Sequence, residues 1–97
     1  MKRAETPLRY SGEIGAWEER HVVRGQTYEV VQSFEDADRD LHQIGERWTV
    51  VGTGFNKFED IVVVGVRTSD GAEWLMPLQW HEGQQLDVLK NWGDYVR

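Results

Sequence analysis

The chain has 97 residues, 11 Lys and Arg against 17 Asp and Glu for a formal net charge of −6, no Cys and five Trp. That length suits one domain, and 39% hydrophobic with 11% aromatic residues exclude a disordered polar tail. Without Cys, a disulfide framework, a thiolate-ligated zinc and a thiol nucleophile are all excluded, so packing alone must hold the domain.

The first residues, Met1-Lys2-Arg3-Ala4-Glu5, are charged and lack the apolar stretch of a signal peptide. The longest apolar run, Ile61 to Val64, falls far short of the roughly 20 residues that cross a bilayer. A cytoplasmic location and no membrane partner are the expectation. Residues 1–24, with Pro7, Gly12 and Gly15 and no sustained period, read as a partly ordered N-terminal arm with a short helix over 16–23. Residues 25–97 read as a single β-rich domain.

Within it, Thr27–Phe34 is rich in β-branched and aromatic residues and predicts the first strand. An acidic loop over 35–41 follows, and Gly45–Gly52 predicts a second strand with Trp48 and Val50 on one face. Ile61–Thr68 is apolar on both faces over its first half, the pattern of a central strand covered from both sides, and Gly65 predicts a bulge or bend. Ser69-Asp70-Gly71-Ala72 predicts a tight hairpin, because Gly accepts positive φ without a Cβ clash. Glu73–Trp80 then alternates, with Trp74, Met76, Leu78 and Trp80 on one face; Pro77 must turn its missing N–H to an edge or a bulge. After Gly83 the period changes to three: Leu86, Leu89 and Trp92 share a helical stripe, and Gly93 falls where a left-handed C-cap residue belongs.

Four short strands with one terminal helix lack the crossovers of a doubly wound sheet. The expected fold is therefore mainly β: a small antiparallel barrel of the SH3-like type, its fifth strand taken from the arm or from Phe55–Asp60, or else a sheet roll with the short C-terminal helix packed on one face.

Charge is distributed unevenly. Residues 25–60 carry three basic and eight acidic side chains, with four carboxylates between Glu35 and Asp40. The longest basic cluster is Lys2-Arg3, too little for counterion-release binding of DNA or RNA, so no nucleic-acid partner is expected. Asp36-x-Asp38-x-Asp40 matches the opening of a calcium-binding EF-hand loop, but Leu41 stands where Gly is needed and Arg47 where Glu is. His42 and Glu46, four apart, and His81-Glu82 have no motif to fix a metal geometry. No metal and no cofactor are expected. Ser11, Ser33 and Ser69 lack a nucleophile elbow, and Gly52-Thr53-Gly54 lacks the third Gly and the helix of a phosphate loop.

The order of features from Arg24 to Tyr95 resembles a family of small, mostly bacterial domains of unknown function. It rests on Gly25-x-x-Tyr28-x-Val30, Phe34-x-Asp36-x-Asp38, His42-x-x-Gly45-Glu46-x-Trp48-Thr49, Gly52-x-x-Phe55, and Leu78-Gln79-Trp80 followed by Gln84 or Gln85. Arg39 stands where the family has Gly, and Asn56–Asp60 replaces a Pro-Tyr-Asp-like segment. The resemblance implies no catalytic residues. The leading functional expectation is a non-enzymatic protein-binding module whose acidic and aromatic surface, Asp36, Asp38, Asp40, His42, Glu46 and Trp48, meets a basic or proline-rich protein. The alternatives are an acidic inhibitor or immunity-type protein that neutralises a basic enzyme, and a small-molecule or metal-dependent enzyme. A monomer or weak homodimer is expected, with edge pairing beside Pro77 open to a second copy.

Overall fold

The computed structural model describes residues 1–4, 22–56 and 58–97. The expected helix over 16–23 and Trp17 fall almost wholly outside the described residues. The described residues form seven strands: β1 Lys2–Arg3, β2 Thr27–Glu29, β3 Phe34–Glu35, β4 Leu41–His42, β5 Arg47–Asn56, β6 Ile61–Arg67 and β7 Glu73–Gln79. Helices α1 (Leu86–Lys90) and α2 (Trp92–Tyr95) close the chain.

The protein is mainly β, and among the described residues every ladder is antiparallel. Five strands make one sheet in the order β1-β7-β6-β5-β2, and β3 pairs with β4 as a separate hairpin. Among the described residues no ladder joins β1 to β2, so the main sheet is an open roll with helices on one face. The fifth strand comes from the N-terminal arm: Lys2 pairs with Leu75 and Arg3 with Trp74.

Alternation builds the core. Trp48 and Val50 on β5, Val62, Val64 and Val66 on β6, and Met76 and Leu78 on β7 all turn to one face and are buried. Val88 and Leu89 of α1 and Trp92 of α2 cover that face. Trp92 lies 5.6 Å from Tyr28 and 5.9 Å from Trp48, ring centre to ring centre, in the tilted and edge-on arrangements that aromatic quadrupoles favour. Trp74 and Trp80, at the two ends of β7, pack on the core only in part. The second face of β6 is half-buried at Ile61 and Val63 rather than covered.

Four boundaries differ from the sequence reading for local reasons. The first strand stops at Glu29, extended by a Val30 bridge to Val96, because the Val31 and Gln32 N–H groups both donate to the Tyr95 carbonyl and turn the chain away from the sheet. The acidic stretch 35–41 is not a loop but the turn of the β3–β4 hairpin, with Phe34 opposite His42 and Glu35 opposite Leu41. The bulge falls on β5, where the register shifts between Val50 and Gly52, opposite Gly65. The extra residue, Val51, moves the buried phase from Trp48 and Val50 to Thr53 and lets the strand run on to Asn56. Gly93 lies inside α2 with no positive φ. The Asn91 side chain ends α1 instead, donating to the Asp87 carbonyl at 3.0 Å.

Gly71 has φ +86° in the β6–β7 turn, as the Asp-Gly pair requires. Pro77 faces away from β6: its carbonyl accepts the Ala37 N–H at 2.8 Å, and in an antiparallel strand a residue's nitrogen points to the same side as its oxygen. The missing N–H therefore costs no bond to β6. The β7 edge beside Pro77 is occupied by Ala37 and by β1, and the outer edge of β2 by Arg97, which exchanges two backbone bonds with Glu29. The β7 edge beside Pro77 is therefore not free for edge pairing with a second copy. No helix among the described residues is long and apolar enough to cross a membrane.

Candidate functional site

The β3–β4 turn assembles the acidic residues around a buried centre. Asp36 is 1% exposed, and its Oδ1 accepts the N–H groups of Asp38 at 2.9 Å and Asp40 at 3.2 Å. Tying a carboxylate to its own turn in this way is the Asx device. It needs Arg39 at φ 65°, the left-handed conformation that Gly adopts without strain, and Arg39 stands where the resembled family has Gly. Arg39→Gly should therefore stabilise the protein by up to about 1 kcal/mol, since a left-handed L-residue costs roughly 1–2 kcal/mol and Gly returns roughly 0.5–1 kcal/mol in backbone entropy. A urea midpoint below that of the parent would contradict it.

Asp36 Oδ2 meets His42 Nε2 at 2.8 Å, and His42 Nδ1 meets Glu46 Oε2 at 2.5 Å. Glu46 also accepts the Trp48 Nε1–H at 3.0 Å. His42 is itself 1% exposed and stacks on Phe34 with ring centres 4.9 Å apart. Burial alone would lower the imidazolium pKa, but the bonds to Asp36 and Glu46 outweigh it and raise the pKa to about 9. The same burial would raise Asp36 and Glu46. His42 holds both below their ordinary values, assisted at Asp36 by the N-terminal ammonium and the Asp40 N–H, and at Glu46 by Trp48.

Asp36, Asp38 and Asp40 each offer an oxygen within 4.8 Å of the others. The Met1 ammonium lies among them, 3.0 Å from Asp36 and 3.3 Å from Asp38 and in direct contact with Asp40. Its pKa is raised: burial opposes the charge, but hydrogen bonds to Asp40, Asp36 and Asp38 prevail. The positive charge that the sequence led one to seek in a partner is thus partly supplied by the chain.

Of the six residues assigned to a partner-binding surface, Asp36, His42 and Trp48 are buried. The structure brings them together with Glu46 as an internal network. Only Asp38 and Asp40 are exposed, with Glu46 between the two classes. The accessible feature beside this network is a groove of about 510 Å³ that uses Asp36 as part of its lining. One wall is the chain leading into the β3–β4 hairpin, with Ser33, Phe34, Glu35 and Arg39; the other is the start of α1 and Tyr95 of α2.

Gln85, Asp87 and Tyr95 on the second wall were not singled out from the sequence. Gln85 is 6% exposed; its Oε1 accepts the Gln79 N–H at 2.9 Å, which leaves its Nε2 donor to the groove it lines. Asp87 Oδ2 accepts the Tyr95 hydroxyl at 2.6 Å, and its Oδ1 accepts Asn91 Nδ2 at 2.9 Å, so α1 and α2 are tied at the groove rim. The glutamines after Leu78-Gln79-Trp80 were the signal available, and the bond from Gln79 to Gln85 gives their spacing a structural reason.

No family model matches the chain, and no curated protein matches it. Among solved structures it is similar to an integron cassette protein from the mobile metagenome of Vibrio cholerae, with a TM-score of 0.72 and 23% identity over 76% of this chain and 81% of that one. At that identity the likeness is one of fold.

Proposed function

We propose that the chain is a non-enzymatic binding module that takes a basic segment of a protein partner in the groove between the β3–β4 hairpin and the C-terminal helices. The observation that carries this reading is the pairing of carboxylates across that groove, Glu35 on the hairpin wall and Asp87 on the helix wall, with the aromatic rings of Phe34 and Tyr95 beside them. Glu35 is exposed, and no ion pair engages it among the described residues. Among the described residues, the one cation that lines the groove is Arg39. The exposed side-chain amide of Gln84 adds an adaptable hydrogen-bonding partner of the kind extended polypeptide needs.

His42 argues against general-base chemistry at this corner. Both ring nitrogens are engaged by carboxylates and the ring is held protonated across the neutral range, so it has no lone pair with which to accept a proton.

The test is a titration of isotopically labelled protein with three synthetic peptides of equal length, one Lys/Arg-rich, one proline-rich and neutral, one acidic. The basic peptide is expected to shift the backbone amides of Glu35, Gln84 and Tyr95 saturably, and Glu35→Lys to weaken it by about tenfold, the effect of roughly 1.4 kcal/mol. Equal response to the acidic peptide, or an unchanged affinity in Glu35→Lys, would overturn the reading.

A further inference from the structure

We propose that the outer face of the sheet, where β2, β5 and β6 adjoin, binds the phosphoryl group of a small phosphate-bearing anion. Trp48, Val50 and Val66 point into the core, so their neighbours Arg47, Thr49 and Arg67 point outward. The ladders set these side by side: Thr49 is opposite Thr27 on β2 and opposite Arg67 on β6. Two adjoining clefts, of about 320 and 220 Å³, share Thr49 and Arg67 in their walls. Arg47 completes the first cleft and Arg24 the second, and among the described residues no carboxylate lines either.

In a chain of net charge −6, three guanidiniums around acid-free clefts are a local reversal of sign. Arg67 and Arg47 do have carboxylate neighbours that line neither cleft, Glu73 at 2.9 Å with its side chain 16% exposed, and Glu29 at 3.3 Å, where the Arg47 and Glu29 side chains are 70% and 47% exposed. An exposed pair of that kind is weak and yields readily to a stronger anion. Arg24 has no ion-pair partner among the described residues.

The hydroxyls fit the same ligand. Thr27 Oγ1 and Thr49 Oγ1 are 2.7 Å apart, so one donates to the other and the second keeps a proton for an external acceptor. Ser69 adds a further hydroxyl at the rim. Planar guanidinium forks with hydroxyl donors are the complement of a tetrahedral, multiply charged oxyanion.

The size of the ligand follows from the charge map. Screening confines each charge to about 8 Å at physiological salt, so a single phosphoryl group senses chiefly Arg24, Arg47 and Arg67 together with the Glu29 and Glu73 carboxylates that pair with two of them. A nucleic-acid strand would run on over the acidic remainder of the surface and meet repulsion.

The test is an NMR titration of the full chain with sodium pyrophosphate at constant ionic strength, with NaCl as the balancing salt and a short oligonucleotide as a second arm. Saturable shifts at the amides of Thr49, Arg67 and Ser69 are expected, with the oligonucleotide binding more weakly. Arg67→Met should lower pyrophosphate affinity about tenfold, the loss of one charge-assisted contact, while its urea midpoint shows that it folds. Should that variant not fold, Arg24→Met serves in its place. Glu35→Lys, at a residue that lines neither cleft, should bind pyrophosphate as the parent does. Shifts reproduced by NaCl alone, an undiminished affinity in the Arg variant, or tighter binding of the oligonucleotide would each overturn the proposal.

Discussion

Replacing His42 by Ala is expected to lower folding stability by about 3–5 kcal/mol in urea unfolding, the cost of leaving buried carboxylate charge without its partner. Asp36 is the residue left exposed to that cost. It is 1% exposed, and it would keep only the Met1 ammonium and two backbone N–H groups as counterparts. Glu46, less buried, would keep Trp48 and water. Loss of the Phe34 stacking contact adds to the effect. Because Asp36 and His42 share one interaction, Asp36→Asn in the His42→Ala background should cost less than the sum of the single changes. Additive effects in that cycle would show that the two are not coupled.

The same network fixes the pH dependence. His42 has an ordinary pKa of 6.5 and a folded value of about 9, so the folded state binds the proton more tightly than the unfolded state. Its contribution is fully present below about pH 6.5 and fades as pH rises through 9, a loss of about 3 kcal/mol at the conversion of 1.36 kcal/mol per unit. Asp36 and Glu46 are shifted the opposite way. Their contribution is present above their ordinary values of 3.8 and 4.5 and is lost as pH falls. These are two views of one ion-pair cluster and are not to be added. Greatest stability is expected between about pH 5 and 6.5. Alkaline loss has a second source in the Met1 ammonium, whose pKa is raised from 8.0. A His42 variant should therefore lose the decline between pH 6.5 and 8 and keep the later one.

Much of the sheet could be read from the sequence because its signals are local. The alternation of β7, the apolar run of β6 and the Asp-Gly turn are each specified by residues within one element, and each lies where the pattern puts it. What escaped depends on distant pairing. Nothing in Val31 and Gln32 shows that their N–H groups are claimed by Tyr95, and nothing in Lys2-Arg3 shows that β7 has an edge waiting for a strand. The acidic corner misled for a physical reason. Closely spaced carboxylates read as a solvated surface because burial of charge is costly, yet here a histidine six residues on and the N-terminal ammonium supply the compensation that makes burial tolerable. The His42-x-x-Gly45-Glu46-x-Trp48 spacing was visible. That it describes a hydrogen-bond chain from Asp36 through His42 and Glu46 to Trp48 required the fold.

Trp92 and Trp48 offer a controlled comparison within one aromatic cluster. Each is 2% exposed, and their ring centres are 5.9 Å apart. Truncating Trp92 to Ala removes the side chain that joins α2 to Tyr28 and the sheet, and should cost about 3–5 kcal/mol. Replacement by Phe separates two contributions that Ala confounds. Trp92 Nε1 is buried with no hydrogen-bond partner, a group whose desolvation costs roughly 1–3 kcal/mol. Trp92→Phe removes that group while opening a small gap, and the two effects oppose, so stability should stay within about 1 kcal/mol of the parent. Trp48→Phe opens a similar gap but also deletes the bond from Nε1 to the Glu46 carboxylate, and hydrogen bonds to charged groups contribute roughly 1.5–3 kcal/mol. It should therefore be the more costly by about 2 kcal/mol or more in urea unfolding followed by circular dichroism. Equal costs would mean that the two indole N–H groups are equally well satisfied, which requires a partner for Trp92 and a network that ends at Glu46 rather than at Trp48.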